Sequence, residues 1–568
     1  MFNRKSKKTE RFDPDEIFLD SSNLPRFDVY QFEGRLEQPI SKIALIALFG
    51  AFLCVALLFS ARLFNLGIQN GSSFRASAEG NRLERVPLFA ERGGIVDRNG
   101  EELAWNEPLT GEEFAARAYT EREGLAHALG FVSYPARDAA GVYYAETFEG
   151  KDGAEKAYDS VLLGKNGTML VERDARGEVQ SAHAQTPTQN GENIMLALDA
   201  RMEEALFVRL RNLVRTAGFK GAAGVIMDVT NGDIIALASV PSYDSGVLTD
   251  GAERDEINAL LADANKPFLN RVLAGQYTPG SIVKPFLAVA ALQEQIISPE
   301  KEILSTGSIS IPNPYFPDKE SVFRDWKAHG LVNMREAIAV SSDVYFYEVG
   351  GGYKDQPGLG IGKIETYMRL FGFGEETGAD ISGEENGVIP TPLWKERIFG
   401  DDWRLGDTYI TAIGQYGFQV TPLQVVRAVA ALANGGKLLK PRFVTKIFSD
   451  KETVGGGKET AITWEDLPID TSLYAVVREG MRLGVTEGTA AGLDLPFVRI
   501  AAKTGTAEVG TLKQTVHSWV TGFFPYEEPR YAFALVMERG PVGNPAGALS
   551  AFRDFLFWVE EYAPEYLN

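Results

Sequence analysis

Cysteine and histidine are scarce in this sequence, and the two shortages exclude whole classes of chemistry. The 568 residues include one cysteine, Cys54, which cannot form an intramolecular disulfide or a zinc site built on paired thiolates. Only four histidines are present, which argues against a multi-histidine metal centre. We therefore predict no metal ion and no other cofactor.

Basic residues are also in short supply. Lys and Arg number 57 against 77 Asp and Glu, which gives a formal net charge of −20. A surface that reads a phosphate backbone needs a local basic excess, and no long basic stretch appears beyond Arg4 to Lys8. Nucleic acid is therefore not an expected partner. The 45% hydrophobic and 24% charged residues are globular values, so a largely disordered or fibrous chain is excluded as well.

One long uncharged segment is present, from Ile43 to Ala61. Nineteen helical residues reach roughly 28 Å, close to the ~30 Å hydrocarbon thickness of a bilayer. We predict a cytoplasmic tail over 1–42 and one transmembrane helix over 43–61. The alternative is a cleaved signal peptide, but 42 mostly polar residues precede the segment and no cleavage-like site follows it. Flanking charges hardly decide the orientation.

The rest of the sequence predicts an α+β protein. Residues 62–205 change periodicity often and indicate a small α+β pedestal, and residues 206–568 form a second, larger domain. Asn231-Gly232 predicts a tight two-residue turn between two strands, because these residues tolerate positive φ angles. Further helices are expected over 199–217, 333–349 and 421–435, and further strands near 498–508, 516–524 and 531–538, in an antiparallel sheet.

The first chemical motif is Ser281-x-x-Lys284, which follows Pro-Gly and precedes an apolar run of helical length. Serine and lysine three residues apart lie on one helix face, and an uncharged amine there can remove the hydroxyl proton. A second Ser-x-x-Lys, Ser298 to Lys301, shows that the pattern alone is weak. Because Pro and Glu follow Ser298, we interpret that copy as a helix cap.

Two further motifs make the first one specific. Ser341 and Asp343 form a Ser-x-Asp pattern whose polar groups are suited to relaying a proton. The third motif is the single Lys-Thr-Gly-Thr run, which comprises Lys503, Thr504, Gly505 and Thr506. It places a lysine and two hydroxyls on a predicted strand, and its glycine lets a substrate backbone approach closely. The order and spacing of the three motifs are the signature of penicillin-recognising serine acyl enzymes. The sequence contains no Gly-x-Ser-x-Gly elbow, which argues against an α/β-hydrolase.

With its surrounding sequence, the chain resembles class B penicillin-binding proteins, in particular the penicillin-binding protein 2 type that serves cell elongation. The matching stretches are RGGIVDRNGEELAWN (92–106), AGVIMDVTNGDIIALASVPSYD (223–244), GQYTPGSIVKPF (275–286), HGLVNMREAIAVSSDVYFYEVG (329–350), IGQYGFQVTPLQVVRAVAALANGG (413–436), KTGTAE (503–508) and HSWVTGFFP (517–525). The resemblance implies a transpeptidase domain, with an antiparallel five-stranded sheet flanked by helices, over 206–568.

The resemblance also implies the activity and the residues that perform it. A D,D-transpeptidase cross-links peptidoglycan stem peptides ending in D-Ala-D-Ala, and penicillin and other β-lactams bind the same site. Ser281 would be the nucleophile, Lys284 would take its proton, and Ser341 and Asp343 would extend the proton network to Lys503. Thr504 and Thr506 would bind the substrate carboxylate beside Gly505, and the backbone N–H groups of Ser281 and Thr506 would form the oxyanion hole.

The resemblance further implies a single-pass protein of the plasma (inner) membrane with its catalytic domain outside the cytoplasm. Its expected partner is a membrane glycan polymerase of the shape, elongation, division and sporulation family. Two alternatives use the same nucleophile with water as the acceptor, namely a D,D-carboxypeptidase and a β-lactamase. A third is a non-catalytic scaffold that activates a glycan polymerase. A bifunctional enzyme is excluded, because about 140 residues before the catalytic domain are too few for a glycosyltransferase.

Overall fold

The computed structural model describes residues 41–80, 83–139, 142–173, 179–316, 318–449, 456–510 and 514–567. The predicted cytoplasmic tail lies almost entirely outside the described residues. The chain divides into two compact units. One comprises the residues up to 84 together with 171–181, and the other comprises 85–170 together with 182–568.

The first unit is dominated by a long apolar helix, α1 (Lys42–Phe64), which continues as a π-helical turn over Asn65–Gln69 and is followed by a helix over Gly71–Gly80. Ser41 caps the start of α1 by accepting a hydrogen bond from the backbone N–H of Ala44. The 28 residues of Lys42–Gln69 are apolar and long enough to cross a membrane, reaching roughly 42 Å. The helix extends beyond the predicted 43–61 because apolar residues continue after Arg62.

In the second unit, the N-terminal part is built around a six-stranded sheet to which distant parts of the chain contribute. Its strand order is Lys458–Glu459, Val444–Phe448, Asn193–Leu196, Ile95–Val96, Glu102–Glu107 and Ala116–Tyr119. Beside this sheet, the Glu155 carboxylate bonds the guanidinium groups of Arg92 and Arg117, and all three side chains are fully buried. Burial opposes ionisation of Glu155, but the two arginines outweigh it and lower its pKa.

The part of the chain predicted to be the transpeptidase domain, residues 206–568, is called the catalytic half. It contains the predicted five-stranded antiparallel sheet. Its strands are β1 (Gly221–Asp228), β2 (Ile234–Val240), β3 (Ala501–Val509), β4 (Thr515–Phe524) and β5 (Tyr531–Pro541). The order across the sheet is β2-β1-β5-β4-β3, with all neighbours antiparallel, so β3 is an edge strand. The predicted α+β class with one N-terminal apolar helix is confirmed.

Helices cover both faces of this sheet, which explains why its strands are apolar on both sides. On β4, Trp519 and Phe523 belong to one buried cluster, and Val520 and Phe524 belong to the other. The main helices of the catalytic half are α2 (Ala200–Ala217), α3 (Lys284–Gln293), α4 (Asp343–Gly351), α5 (Pro422–Ala433), α6 (Thr471–Thr486) and α7 (Ala548–Tyr562). Residues of α5 lie in the first cluster, and residues of α2 and α7 lie in the second.

The remaining elements are short. Further α-helices are Ala126–Leu129, Gly153–Ala157, Asp159–Leu162, Ser245–Asp250, Arg254–Ala262, Met334–Ala339, Gly360–Leu370, Pro392–Phe399 and Leu405–Ala412, and 3-10 turns are Gly280–Val283, Ala491–Leu493 and Pro564–Tyr566. Further strands are Leu83–Leu88, Val132–Ser133, Ala136–Arg137, Tyr143–Ala145, Glu149–Gly150, Gly167–Arg173, Val179–Thr186, Ile303–Ser305, Ser308–Pro312, Glu320–Arg324, Gly330–Val332, Lys437–Leu439 and Trp464–Asp466.

Two local predictions were wrong. The loop between β1 and β2 has five residues (229–233) rather than two, because the Asp228 side chain accepts bonds from the N–H and hydroxyl of Thr230 and widens the turn. Only Gly232 in this loop has a positive φ, of 87°. The predicted helix cap at Ser298 is instead a turn, in which the Lys301 N–H donates to the Ser298 carbonyl oxygen. No helix begins at this turn, whose residues are all described.

A third difference concerns the predicted helix over 333–349, which is two helices. Met334–Ala339 ends before the second motif, and α4 begins at Asp343. Between them Ser341 has φ 61°, a left-handed conformation that is uncommon for serine and costs on the order of 1 kcal/mol. The second motif therefore spans a break between two helices, with Ser341 in the strained break and Asp343 as the first residue of α4.

Candidate active site

The first motif begins in a tight turn that ends where α3 starts. Gly280–Val283 is a 3-10 turn, and Lys284 and Pro285 form the first residues of α3, where the missing proline N–H is harmless. Gly280 has φ 57°, and a Cβ atom there would lie 2.9 Å from the backbone oxygen of Thr506. Glycine therefore allows the turn that carries Ser281 to approach strand β3 closely.

Lys284 is fully buried and connects the first motif to the second. Its Nζ donates to the backbone oxygen of Ser341 at 2.8 Å and to the Ser341 hydroxyl at 3.3 Å. It also forms an ion pair with Asp343, with Nζ 2.6 Å from Oδ1. A buried ammonium or amine needs such partners, because an unpartnered one is costly in a low-dielectric interior. The predicted residues of the first two motifs therefore lie together.

Lys503 brings the third motif to the same hydroxyl. From strand β3, its Nζ donates to the Ser341 hydroxyl at 2.8 Å and to the backbone oxygen of Thr504 at 2.8 Å. Burial lowers the pKa of Lys503 well below its usual value, the nearby charge of Lys284 lowers it further, and Asp343 opposes the change. Ser341 is thus the point where the side chains of two lysines meet.

The other third-motif residues line the exposed edge of β3. The Thr504 hydroxyl donates to that of Thr489 at 2.7 Å. Gly505 permits a second close approach, because a Cβ there would lie 2.9 Å from the backbone oxygen of Pro279. Trp519 holds the same loop from β4 by donating its indole N–H to the Thr278 carbonyl at 3.0 Å. These contacts fix the edge strand against the turn that carries the first motif.

A cleft of about 640 Å³ opens over these motifs. Its lining includes Ser281, Ser341, Asp343, Thr504, Gly505 and Thr506. Lys284 and Lys503 lie beneath it, buried. Sequence reasoning missed Thr489 and the exposed Trp326, which also line the cleft, because neither belongs to a recognisable pattern. The alternative pair at Ser298 is not part of the lining, and the Lys301 Nζ donates to the Gln356 side chain instead.

Comparison with known proteins places this geometry in a family. Residues 222–553 match the model described as "Penicillin binding protein transpeptidase domain". The chain belongs to the penicillin-binding protein transpeptidase family. Residues 109–196 match the "Penicillin-binding Protein dimerisation domain" within the predicted pedestal.

Individual relatives agree with this membership. "Peptidoglycan D,D-transpeptidase MrdA" of Escherichia coli strain K12 is 30% identical over an alignment of 610 positions including gaps, covering 89% of this chain and 92% of the relative. Penicillin-binding protein 2 in its complex with MreC from Helicobacter pylori is 27% identical with a TM-score of 0.69, covering 85% of this chain and 99% of that one. A chain from "Structural coordination of polymerization and crosslinking by a peptidoglycan synthase complex" is 27% identical with a TM-score of 0.69, covering 91% and 98%.

These comparisons test several of the sequence-based predictions. The resemblance to penicillin-binding protein 2 is confirmed, and so is the prediction of a peptidoglycan D,D-transpeptidase. Binding of β-lactams and stem peptides is general for transpeptidase domains of this family. The N-terminal helix is long and apolar enough to span a membrane.

Proposed function

We propose that Ser281 is the nucleophile of this transpeptidase and that Lys284, Ser341, Asp343 and Lys503 form its proton network. The observation that carries the proposal is the Ser341 hydroxyl, which accepts hydrogen bonds from Lys284 at 3.3 Å and from Lys503 at 2.8 Å. A single hydroxyl between two amines provides a path for a proton to leave one side of the cleft and return on the other.

In the first half-reaction, the Ser281 Oγ attacks the carbonyl carbon of the penultimate D-Ala of a donor stem peptide. For this step the ion-pair proton of Lys284 moves to Asp343, and the resulting neutral amine takes the hydroxyl proton as the C–O bond forms. The C–N bond to the terminal D-Ala then breaks, and the proton passes through Ser341 to the departing amine. The product is an ester of Ser281 and free D-Ala, so atoms and charge balance.

The substrate is held by groups of strand β3. We propose that the Thr504 and Thr506 hydroxyls bind the terminal carboxylate beside Lys503, and that Gly505 leaves room for the peptide backbone. The backbone N–H groups of Ser281 and Thr506 form the oxyanion hole, supported by the close approach of Gly280 to Thr506. In the second half-reaction, an amine of an acceptor stem peptide attacks the ester and releases Ser281.

The assignment is tested with the full chain in detergent and a fluorescent penicillin. Intact mass spectrometry should show one added drug mass, and digestion should locate it on Ser281. Ser281→Ala should remove the adduct, whereas Ser298→Ala, which changes the serine of the alternative motif, should retain it. An adduct on Ser298, or none on the wild-type chain, would refute the assignment.

We also propose that α1 is an uncleaved anchor and that the catalytic domain lies outside the cytoplasm, where peptidoglycan is found. The helix and the family membership support this topology. Proteolysis of intact spheroplasts should remove the mass after Arg62 and spare a tagged N-terminal tail. Protection of the large domain would contradict it.

The partner we propose is a membrane glycan polymerase of the shape, elongation, division and sporulation family. A similar chain belongs to a peptidoglycan synthase complex that coordinates polymerization and crosslinking. We place the contact in the anchor and in residues 63–106. Co-purification should therefore fall when residues 43–106 are replaced by an unrelated anchor, and equal recovery would show that the contact lies elsewhere.

A further inference from the structure

Behind the second motif lies a buried carboxylate, Asp325, that no sequence pattern singled out. It follows the strand Glu320–Arg324, and its side chain is fully shielded from solvent. Its Oδ2 accepts hydrogen bonds from the Ser342 hydroxyl at 2.9 Å, from the backbone N–H of Val344 at 2.9 Å and from the Ser305 hydroxyl at 3.2 Å. Three donors therefore converge on one oxygen.

Two of those donors belong to the start of α4. Ser342 is the residue that precedes this helix, and its hydroxyl also accepts a bond from the backbone N–H of Tyr345 at 3.3 Å. Val344 is in the first turn, where N–H groups have no partner within the helix. Asp325 thus caps α4 from outside, and its negative charge faces the positive end of the helix dipole.

The anchored residues lie directly beside the strained one. Ser341 adopts φ 61° and presents its hydroxyl to both lysines, so its position depends on what holds the residues on either side. On its C-terminal side, that support is the bond between Ser342 and Asp325. A strained conformation persists only where the surroundings determine it, and this carboxylate supplies the constraint.

Electrostatics agree with the geometry. Burial alone would raise the pKa of Asp325, but hydrogen bonds from the backbone N–H groups of Val344 and Asp343 and from Ser342, with the charge of Lys284, lower it. The group is therefore a carboxylate under physiological conditions. The following residue, Trp326, donates its backbone N–H to Oδ1 at 2.8 Å and lines the cleft. The segment that holds the anchor thus also forms part of the substrate wall.

We infer that Asp325 is a positioning residue for the transpeptidase reaction, acting through Ser342 and the start of α4 to fix Ser341 between the two lysines. It does not touch the reacting atoms. The inference rests on the roles proposed above for Ser281 and Ser341.

The test compares Asp325→Asn with Asp199→Asn in the full chain. Asp199 is the control, because its buried carboxylate also caps a helix, α2, accepting from the backbone N–H of Arg201 at 2.9 Å; it does so as the residue that precedes the helix, and it does not line the cleft. Asparagine removes the negative charge that faces the start of α4 and keeps only one acceptor atom, so Asp325→Asn must leave unpaired either the donors at Oδ2 or the Trp326 N–H at Oδ1. We expect its acylation rate constant with a fluorescent penicillin to fall about 10- to 100-fold, with the non-covalent Kd changed less than about threefold. Asp199→Asn should acylate within about threefold of the wild type.

A double-mutant cycle separates positioning from general destabilisation. Ser342→Ala removes the donor and should slow acylation about 3- to 10-fold. If Asp325 acts through Ser342, the double variant should lose about as much as Asp325→Asn alone, whereas independent effects would multiply. Should Asp325→Asn fail to fold, Ser342→Ala decides the matter alone.

Several results would overturn the inference. One is an acylation rate constant equal to that of the wild type in Asp325→Asn or in Ser342→Ala. Another is a rate loss in Asp199→Asn as large as the loss in Asp325→Asn. The last is a double variant whose rate loss equals the product of the two single losses. Failure of the proposed site is distinguishable, because then the wild-type chain would carry no adduct on Ser281 at all.

Discussion

Removing the Ser341 hydroxyl is the most direct perturbation of the site, since this oxygen is the atom shared by Lys284 and Lys503. In Ser341→Ala, Lys503 keeps only the backbone oxygen of Thr504, whereas Lys284 keeps Asp343 and the backbone oxygen of Ser341. One hydrogen bond to a charged group contributes about 1.5–3 kcal/mol. If that amount is lost in the transition state, acylation slows about 10- to 150-fold.

A second substitution separates the hydroxyl from the backbone strain. Ser341→Gly also lacks the hydroxyl, but glycine adopts φ 61° without the cost that a side chain brings. We therefore expect Ser341→Gly to be more stable to unfolding than Ser341→Ala by about 1 kcal/mol. Both variants should nevertheless be equally slow in acylation.

The assay is stopped-flow acylation by a fluorescent penicillin, with urea unfolding measured on the same preparations. Ser242→Ala is the control, because Ser242-Tyr243-Asp244 repeats the Ser-x-Asp pattern outside the cleft. It should acylate at the wild-type rate. A Ser341→Ala rate within about threefold of the wild type would refute the shared-hydroxyl argument, and a recovered rate in Ser341→Gly would show that strain, not the hydroxyl, is what matters.

Three further predictions concern stability and close packing. Glu155→Gln should lower the free energy of unfolding by about 3–5 kcal/mol in urea titrations, because it removes the carboxylate from buried Arg117 and leaves buried Arg92 with Asp159 alone; a loss below about 1 kcal/mol would contradict this. Burial raises the pKa of Glu203 to about 8, so the folded chain holds a proton that the unfolded chain releases; wild-type stability should fall by up to about 1.4 kcal/mol per pH unit between about pH 5 and 8, and Glu203→Gln should remove that slope. Gly280→Ala should slow acylation and destabilise the fold by roughly 1–2 kcal/mol, because the new Cβ would lie 2.9 Å from the Thr506 oxygen at a positive φ; unchanged acylation kinetics would be evidence against the close approach.

The sequence predicted the elements whose patterns are local. The five strands of the catalytic sheet and the start of α3 could be anticipated because alternating or continuous apolar runs end at clear turn residues. The break at Ser341 could not, because residues 333–349 have helical periodicity throughout and the left-handed serine is held by contacts made in the folded protein. The wider turn after β1 has a similar origin, in a side chain that competes for backbone N–H groups.

The residues of the active site also divide into those with a local sequence pattern and those that only the folded structure identifies. Eight site residues, seven of them polar, could be chosen from three short patterns, but the distances between them depend on how the sheet and helices bring the patterns together. Asp325 and Thr489 belong to no pattern, and only the fold shows that one caps α4 and the other contacts Thr504. Residues that act by holding other residues carry little local signal, because any segment that reaches the right place can supply them.

The six-stranded sheet of the N-terminal part has a consequence for how the chain is made. Its inner strand Asn193–Leu196 pairs with Val444–Phe448, which is synthesised about 250 residues later. The strand Asn193–Leu196 therefore has an open edge until most of the catalytic half has been synthesised. We expect a fragment ending near residue 205 to aggregate or to require a chaperone, because an unpaired strand edge is a template for pairing with other chains. The sheet whose first strands are made early in synthesis is thus among the last parts of the second unit to be completed, and only chains whose catalytic half has been synthesised can finish it.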